Sequence, residues 1–200
     1  MLRLLEKSPL GEEPPHLLAS SRSAGQKVAW RDQELTVHCL DENADLGGLD
    51  ISLMAAGSDT ARQWAPRFVV AGGAVVDNSS AFRLDDQVPL VIPEVNPEMI
   101  SKGPGIIANP NCSTIQMAVA LEPIRQKYGL KKVIVSTYQA VSGAGLEAVD
   151  EMNTQSTAVL NGEEAEANLM PVSGDKKHYQ IAFNAIPQID KFQDNGYTFE

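Results

Sequence analysis

Cys112 is the residue whose type and setting promise the most chemistry. Small residues and a proline, Asn109-Pro110-Asn111, lead into it, and Ser113-Thr114 follow. Beyond these, Ile115, Ala118, Val119 and Ile124 recur at the spacing of one apolar helical face. The pattern predicts a helix opening at or just after the cysteine. Backbone N–H groups in the first turn of a helix lack intrahelical partners, and their partial positive charge favours a thiolate. A thiol with an ordinary pKa of about 8.5 is only a few per cent ionised at pH 7. Such a setting therefore suits a nucleophile. On spacing alone, a packed apolar thiol is the commoner role for a lone cysteine.

Three further clusters carry polar groups at predicted strand ends. In Ser21-Arg22-Ser23, two hydroxyls flank a guanidinium on the turn after an apolar run, a set able to grip a phosphate. In a dinucleotide fold the turn after the second strand faces the adenosine ribose, where cations select the 2′-phosphate of NADP. From these residues alone a solvated turn is the better reading. Asp77-Asn78-Ser79-Ser80-Ala81-Phe82-Arg83 also closes a predicted strand. Arg83 suits a carboxylate or phosphate, or a surface ion pair with Asp85 or Asp86. In the third cluster, Gln139 ends an apolar run, and Ser142-Gly143-Ala144-Gly145 lets a flat ring approach the backbone. His16, His38 and His178 are scattered without metal-ligand spacing, and none is an evident base for Cys112.

The elements that must position these groups alternate. Strands are expected at Leu17–Ser20, Asp50–Ala55 and Ala74–Asp77, with further short apolar runs at Val88–Ile92 and Gly105–Ala108. Lys27–Trp30 and Glu34–His38 flank Arg31-Asp32-Gln33 as a hairpin. Helices are expected at Met1–Lys7, as the tail of a longer helix, and at Asp59–Val70. After the Cys112 helix come a long strand at Lys131–Val141 and a helix at Leu146–Leu160, with Leu146, Val149, Met152 and Val159 facing a core. Asn161–Lys177 reads as a surface loop. The fold class is α/β: a parallel, dinucleotide-binding (Rossmann-like) sheet over residues 1–111, then the start of an α+β domain over 112–200.

Composition narrows the partners. A net charge of −10 with no basic stripe argues against nucleic acid or an anionic membrane surface as a general partner. Two cysteines far apart, with no CxxC, read as a reduced chain of the cytoplasm. No apolar run approaches the roughly 18 residues of a membrane span.

Together the motifs resemble the aspartate-semialdehyde dehydrogenase family. The resemblance rests on Ser21-Arg22-Ser23-Ala24-Gly25, Asp77 to Arg83, Val88-Pro89-Leu90-Val91-Ile92-Pro93-Glu94-Val95-Asn96, Asn109 to Thr114 and Gln139 to Gly145. These occur in the family's order and span nearly the whole chain. Asn111-Cys112-Ser113-Thr114 differs from the Ser-Cys-Thr-Thr-Asn of glyceraldehyde-phosphate dehydrogenases and from the Gly-Cys-Tyr type of acetylglutamyl-phosphate reductases.

The resemblance implies NADPH-dependent reduction of β-aspartyl phosphate to aspartate semialdehyde and phosphate, on the routes to lysine (through diaminopimelate), threonine and methionine. It implies that Cys112 forms a thioester, that Gln139 orients substrate, and that Arg83 and Asn111 bind substrate or phosphate. Ser21, Arg22 and Ser23 would hold the 2′-phosphate, and Gly57, Ser58, Asn78, Ser142 and Gly143 would line the dinucleotide path. A dimer or tetramer is implied, cytoplasmic, or plastidic in a photosynthetic host. The family also carries a Gly-rich turn before the helix that Met1–Lys7 matches, and an acid/base histidine beyond the position of Glu200. The chain is thus expected to be an internal piece of a protein of roughly 340 residues, with negligible activity alone. A truncated, non-catalytic remnant and an acyl-phosphate reductase for another substrate are the alternative expectations.

Overall fold

The computed structural model describes residues 1–100, 103–172 and 175–198. They fall into two compact units, Met1–Gly129 and Leu130–Glu200.

In the first unit a short helix α1 (Leu2–Leu5) precedes β1 (Leu17–Ala19) and the hairpin β2 (Lys27–Trp30) and β3 (Gln33–Cys39). Trp30 pairs with Gln33, so Arg31 and Asp32 form a two-residue turn. Arg31 takes φ 48° there. Its backbone N–H donates to Glu6 Oε1 at 3.0 Å and its Nη2 to the Glu6 carbonyl at 3.1 Å. β1 lies parallel to β3 on the side away from β2.

The second sheet is wholly parallel. β4 (Ile51–Met54), β5 (Ala74–Asp77) and β6 (Gly105–Ala108) lie with β5 in the centre. Helix α2 (Ser58–Val70) covers it, and Trp64, Ala65 and Phe68 bury their side chains with Val75. Two glycines make this crossover possible. Gly57 opens α2 at φ 89°, a conformation that a Cβ disfavours. A Cβ on Gly73 would stand 2.3 Å from the Leu49 carbonyl oxygen, so the return from α2 to β5 needs a bare backbone. The apolar run at 88–92 contributes only an isolated bridge between Leu90 and Ala108. Its Val91 and Ile92 are buried.

Helix α3 runs from Cys112 to Tyr128, as its pattern predicts. Its expected apolar face is only partly covered: Ile115 and Ala118 are half-buried, Val119 and Ile124 are exposed, and the buried residue is Glu122. Arg125 Nε and Nη2 grip the two carboxylate oxygens of Glu122 at 2.6 Å each, and Gln126 Nε2 donates to it at 2.9 Å. That grip holds the Glu122 carboxyl far below the ordinary carboxylate range, to about 2.

The second unit departs furthest from expectation. Lys131–Val141 forms no strand, and residues 131–140 are exposed throughout. Strand backbone requires a neighbour to take its N–H and C=O groups. No described strand pairs with this segment. Helix α4 (Leu146–Leu160) forms at its predicted bounds. Leu146 is 75% exposed rather than in the core, because it is the first residue of the helix; Ala148 and Gln155 are buried instead. The Gln155 amide is fully used. Its Nε2 donates to the Glu166 carbonyl at 2.8 Å and to Glu151 Oε1 at 3.1 Å. Its Oε1 accepts from the amides of Ile181 and Ala182. The irregular stretch 161–177, of which 173–174 lie outside the described residues, is thereby tied back to α4.

Candidate active site

Cys112 is exposed and is the first residue of α3. Asn111 caps the helix: its Oδ1 accepts from the backbone amides of Ser113 at 3.0 Å and Thr114 at 3.1 Å. The sequence pattern implied unpartnered first-turn amides at this point. Two of them are in fact taken by the residue just before the thiol, which is ordinary N-cap chemistry for asparagine. The amide dipoles still point at the sulfur's end of the helix.

The loop after β5 meets the turn before α3. Arg83 Nε donates to the Asn109 carbonyl at 3.0 Å and its Nη2 to the Asn78 carbonyl at 3.2 Å. These two carbonyls, rather than Asp85 or Asp86, are its described partners. Asn109 Nδ2 donates to Asn78 Oδ1 at 2.6 Å. The Asn109 amide also donates to the Asp77 carbonyl at 2.8 Å. Arg83, Asn78, Asn111 and Cys112 are therefore assembled by two neighbouring strand ends of one parallel sheet.

Asp77 and Ser79 complete this corner. The Asp77 side chain is fully buried; its Oδ1 accepts from the Ser79 amide at 2.9 Å and its Oδ2 from the Ser79 hydroxyl at 2.8 Å. Ser79 Oγ accepts in turn from the Ala81 amide at 3.1 Å. The sequence reading named neither as functional. The available signal was an aspartate ahead of serines at a strand end, the composition of a side-chain-closed turn.

Gly57 and Ser58 lie at the start of α2, after β4, and Ser58 Oγ stands 3.0 Å from Ser80 Oγ. This brings the β4 end beside the β5 end. Ser21 and Arg22 are exposed on the turn after β1, while Ser23 is half-buried and its amide donates to the Ser20 carbonyl at 2.9 Å. Cys39, at the end of β3, lines a small cleft of about 250 Å³ with His16, His38 and Asp41. Burial first, and then the adjacent Asp41, push its thiol pKa up. Among the described residues no group of histidine, cysteine, aspartate or glutamate could hold a metal ion.

Gln139, Ser142 and Gly143 lie in the second unit. Gln139 Oε1 accepts from the Thr137 hydroxyl at 3.0 Å, and the residue lines an open cleft of about 550 Å³ with Val141, Met152, Ile181, Phe183 and Asn184. Ser142 and Gly143 occupy a tight 3-10 turn, Val141–Ala144, ahead of α4.

Parallel strands ending in polar loops, with a thiol on the next helix, are shared by several families. Two family models separate them. Residues 1–103 match the semialdehyde dehydrogenase NAD binding domain, and residues 121–200 match the semialdehyde dehydrogenase dimerisation domain. The chain belongs to the semialdehyde dehydrogenase family. Aspartate-semialdehyde dehydrogenase of Bacillus subtilis (strain 168) is 60% identical over 200 residues, all of this chain and 58% of its own length. Vibrio cholerae aspartate semialdehyde dehydrogenase II, solved in complex with ASA, superposes with a TM-score of 0.91 at 44% identity, over 99% of this chain and 57% of its own. The Candida albicans enzyme solved with NADP matches 64% of this chain and 43% of its own at 32% identity, with a TM-score of 0.50. The chain thus spans a little under three fifths of the length of its semialdehyde dehydrogenase relatives. No helix among the described residues is long and apolar enough to cross a membrane.

Proposed function

We propose that the whole protein is a cytoplasmic homo-oligomer that reduces β-aspartyl phosphate to aspartate semialdehyde, using NADPH and a Cys112 thioester. The observation that carries this reading is the exposed Cys112 at the first position of α3, bound through Asn109 to Arg83 and Asn78 on the adjacent loop. A nucleophile, a cation and a polar loop then share one strand-end corner.

The residues present fit a phosphorylated dinucleotide. Exposed Ser21 and Arg22 after β1 supply hydroxyl and guanidinium donors for a 2′-phosphate. Gly57 leaves the N-terminus of α2 open to close backbone approach. Ser58 and Asn78 are further candidates along that path, and the family resemblance alone adds Ser142 and Gly143 as cofactor-binding residues. When bound, the nicotinamide supplies the hydride.

The rest of the chemistry belongs to the chain. Cys112 Sγ attacks the acyl carbon as a thiolate. The carbon–oxygen bond to phosphate breaks, phosphate leaves with that electron pair, and a thioester remains on the sulfur. The oxyanion formed on the way lies in the field of the α3 dipole. Asn111, whose Oδ1 is committed to the helix cap, offers its Nδ2–H donors to that oxyanion or to phosphate. Arg83 is held on two carbonyls and presents the remaining edge of its guanidinium to the phosphate. Gln139 orients the substrate.

The test is phosphate-dependent NADP⁺ reduction with aspartate semialdehyde, followed by absorbance, in a chain of the relatives' length. Turnover with this substrate, and its loss in Cys112→Ala, support the reading. A preference for another acyl phosphate in the reductive direction points instead to a reductase of different specificity.

A further inference from the structure

We infer that Asn109 is a positioning residue for the Cys112 nucleophile, acting through the Asn78–Arg83 loop. This rests on the reading of Cys112 as the nucleophile. Asn109 is the last residue before Pro110-Asn111, so any drift of its backbone is passed directly to the helix cap. Three polar groups of Asn109 are engaged with the neighbouring strand end and its loop. Its amide donates to the Asp77 carbonyl at 2.8 Å, its carbonyl accepts from Arg83 Nε at 3.0 Å, and its Nδ2 donates to Asn78 Oδ1 at 2.6 Å. Pro110, which follows, is buried. It has no N–H to donate and a restricted φ, so the two residues between Asn109 and the thiol have little freedom of their own.

The far side of the contact is equally fixed. Asn78 follows the buried Asp77, whose carboxylate closes the turn through Ser79. The Asn78 carbonyl is held by Arg83 Nη2. Asn109 therefore reads the position of a rigid loop and transmits it to Cys112. Of its three bonds, only the side-chain one can be removed by substitution without touching the backbone ladder. Asn109→Ala deletes it. Asn78→Ala deletes the same bond from the other side, also without a change of charge.

The experiment is peptide-resolved alkylation by iodoacetamide of the folded 200-residue chain at fixed pH, with Cys39 as an internal reference. Cys112 is already exposed, so a looser loop improves access little and costs orientation. The rate at Cys112 is expected to fall about threefold in Asn109→Ala, in keeping with the loss of one side-chain hydrogen bond. Asn78→Ala lowers it equally, and the double variant is no slower than either single one, with Cys39 unchanged in all three. The inference is overturned if Asn109→Ala leaves the Cys112 rate unchanged, if the double variant with Asn78→Ala is slower than either single one, or if Cys39 changes in parallel, which marks general loosening. A wild-type Cys112 no more reactive than Cys39 defeats the nucleophile reading itself. A reactive Cys112 that ignores Asn109 defeats only this inference.

Discussion

The two thiols of the chain stand in opposite surroundings. Cys39 is half-buried beside Asp41, and burial with that carboxylate pushes its pKa up. Cys112 is exposed at the start of a helix. Thiolate is the reactive form, so a raised pKa means less of it at any pH below that value. Alkylation at pH 7.5, read by peptide mass, is expected to modify Cys112 first and Cys39 only as the pH is raised further. Equal rates at both sites would contradict the contrast. Arg83 gives a second prediction at this scale. Arg83→Lys keeps the charge but cannot reach both the Asn78 and Asn109 carbonyls, since an ammonium lacks the fork. Losing one of the two bonds should lower unfolding stability by about 1 kcal/mol, seen as an earlier urea midpoint. Cys112 and Arg83 stood out in the sequence by side-chain type, and Asn78 only through the family resemblance. Asn109 did not, because its contacts come from another strand, whereas Asp77 closes a local turn whose composition was on view.

The elements show the same division. α2 and α4 follow their sequence patterns closely, since helices close their hydrogen bonds within the segment. The run at Lys131–Val141 has strong strand composition yet forms none, because a strand's bonds come from elsewhere. α3 was legible as a helix but not in what it buries, for a charged residue took the covered position. Glu122 carries the pH dependence of this helix. Its carboxyl pKa is about 2 when folded and near 4.3 in an unfolded chain, so the unfolded state binds the proton more readily. The stabilisation is complete above the unfolded value and is lost as pH falls through 4.3 towards 2. Urea melts of wild type should therefore weaken across that window, and Glu122→Gln should flatten part of the slope. An identical slope in both proteins would remove Glu122 as the cause.

At the scale of the whole molecule the exposed segment 131–140 is where association in solution is expected to begin. Ile134 is 86% exposed, Val135 58% and Tyr138 97%, on backbone that no described strand pairs with. Exposed backbone outside any sheet, carrying β-branched side chains, is a template for pairing with a second chain. The overall charge of −10 opposes association at low salt, while Lys131 and Lys132 place the positive charge at one end of the segment. Parallel, in-register pairing would stack those lysines on each other; antiparallel pairing sets them at opposite ends, beside neutral Gln139 and Ala140. The purified 200-residue chain is therefore expected to associate with increasing concentration, and more strongly as salt screens its net charge. Sedimentation equilibrium reads this as a rising mean mass. Val135→Pro removes one backbone donor from the middle of the segment and should shift the mass towards the monomer, leaving the helical signal of α2 and α4 intact. A wild-type chain that stays monomeric at high salt and high concentration, or a Val135→Pro chain that associates equally well, would place the association elsewhere or nowhere.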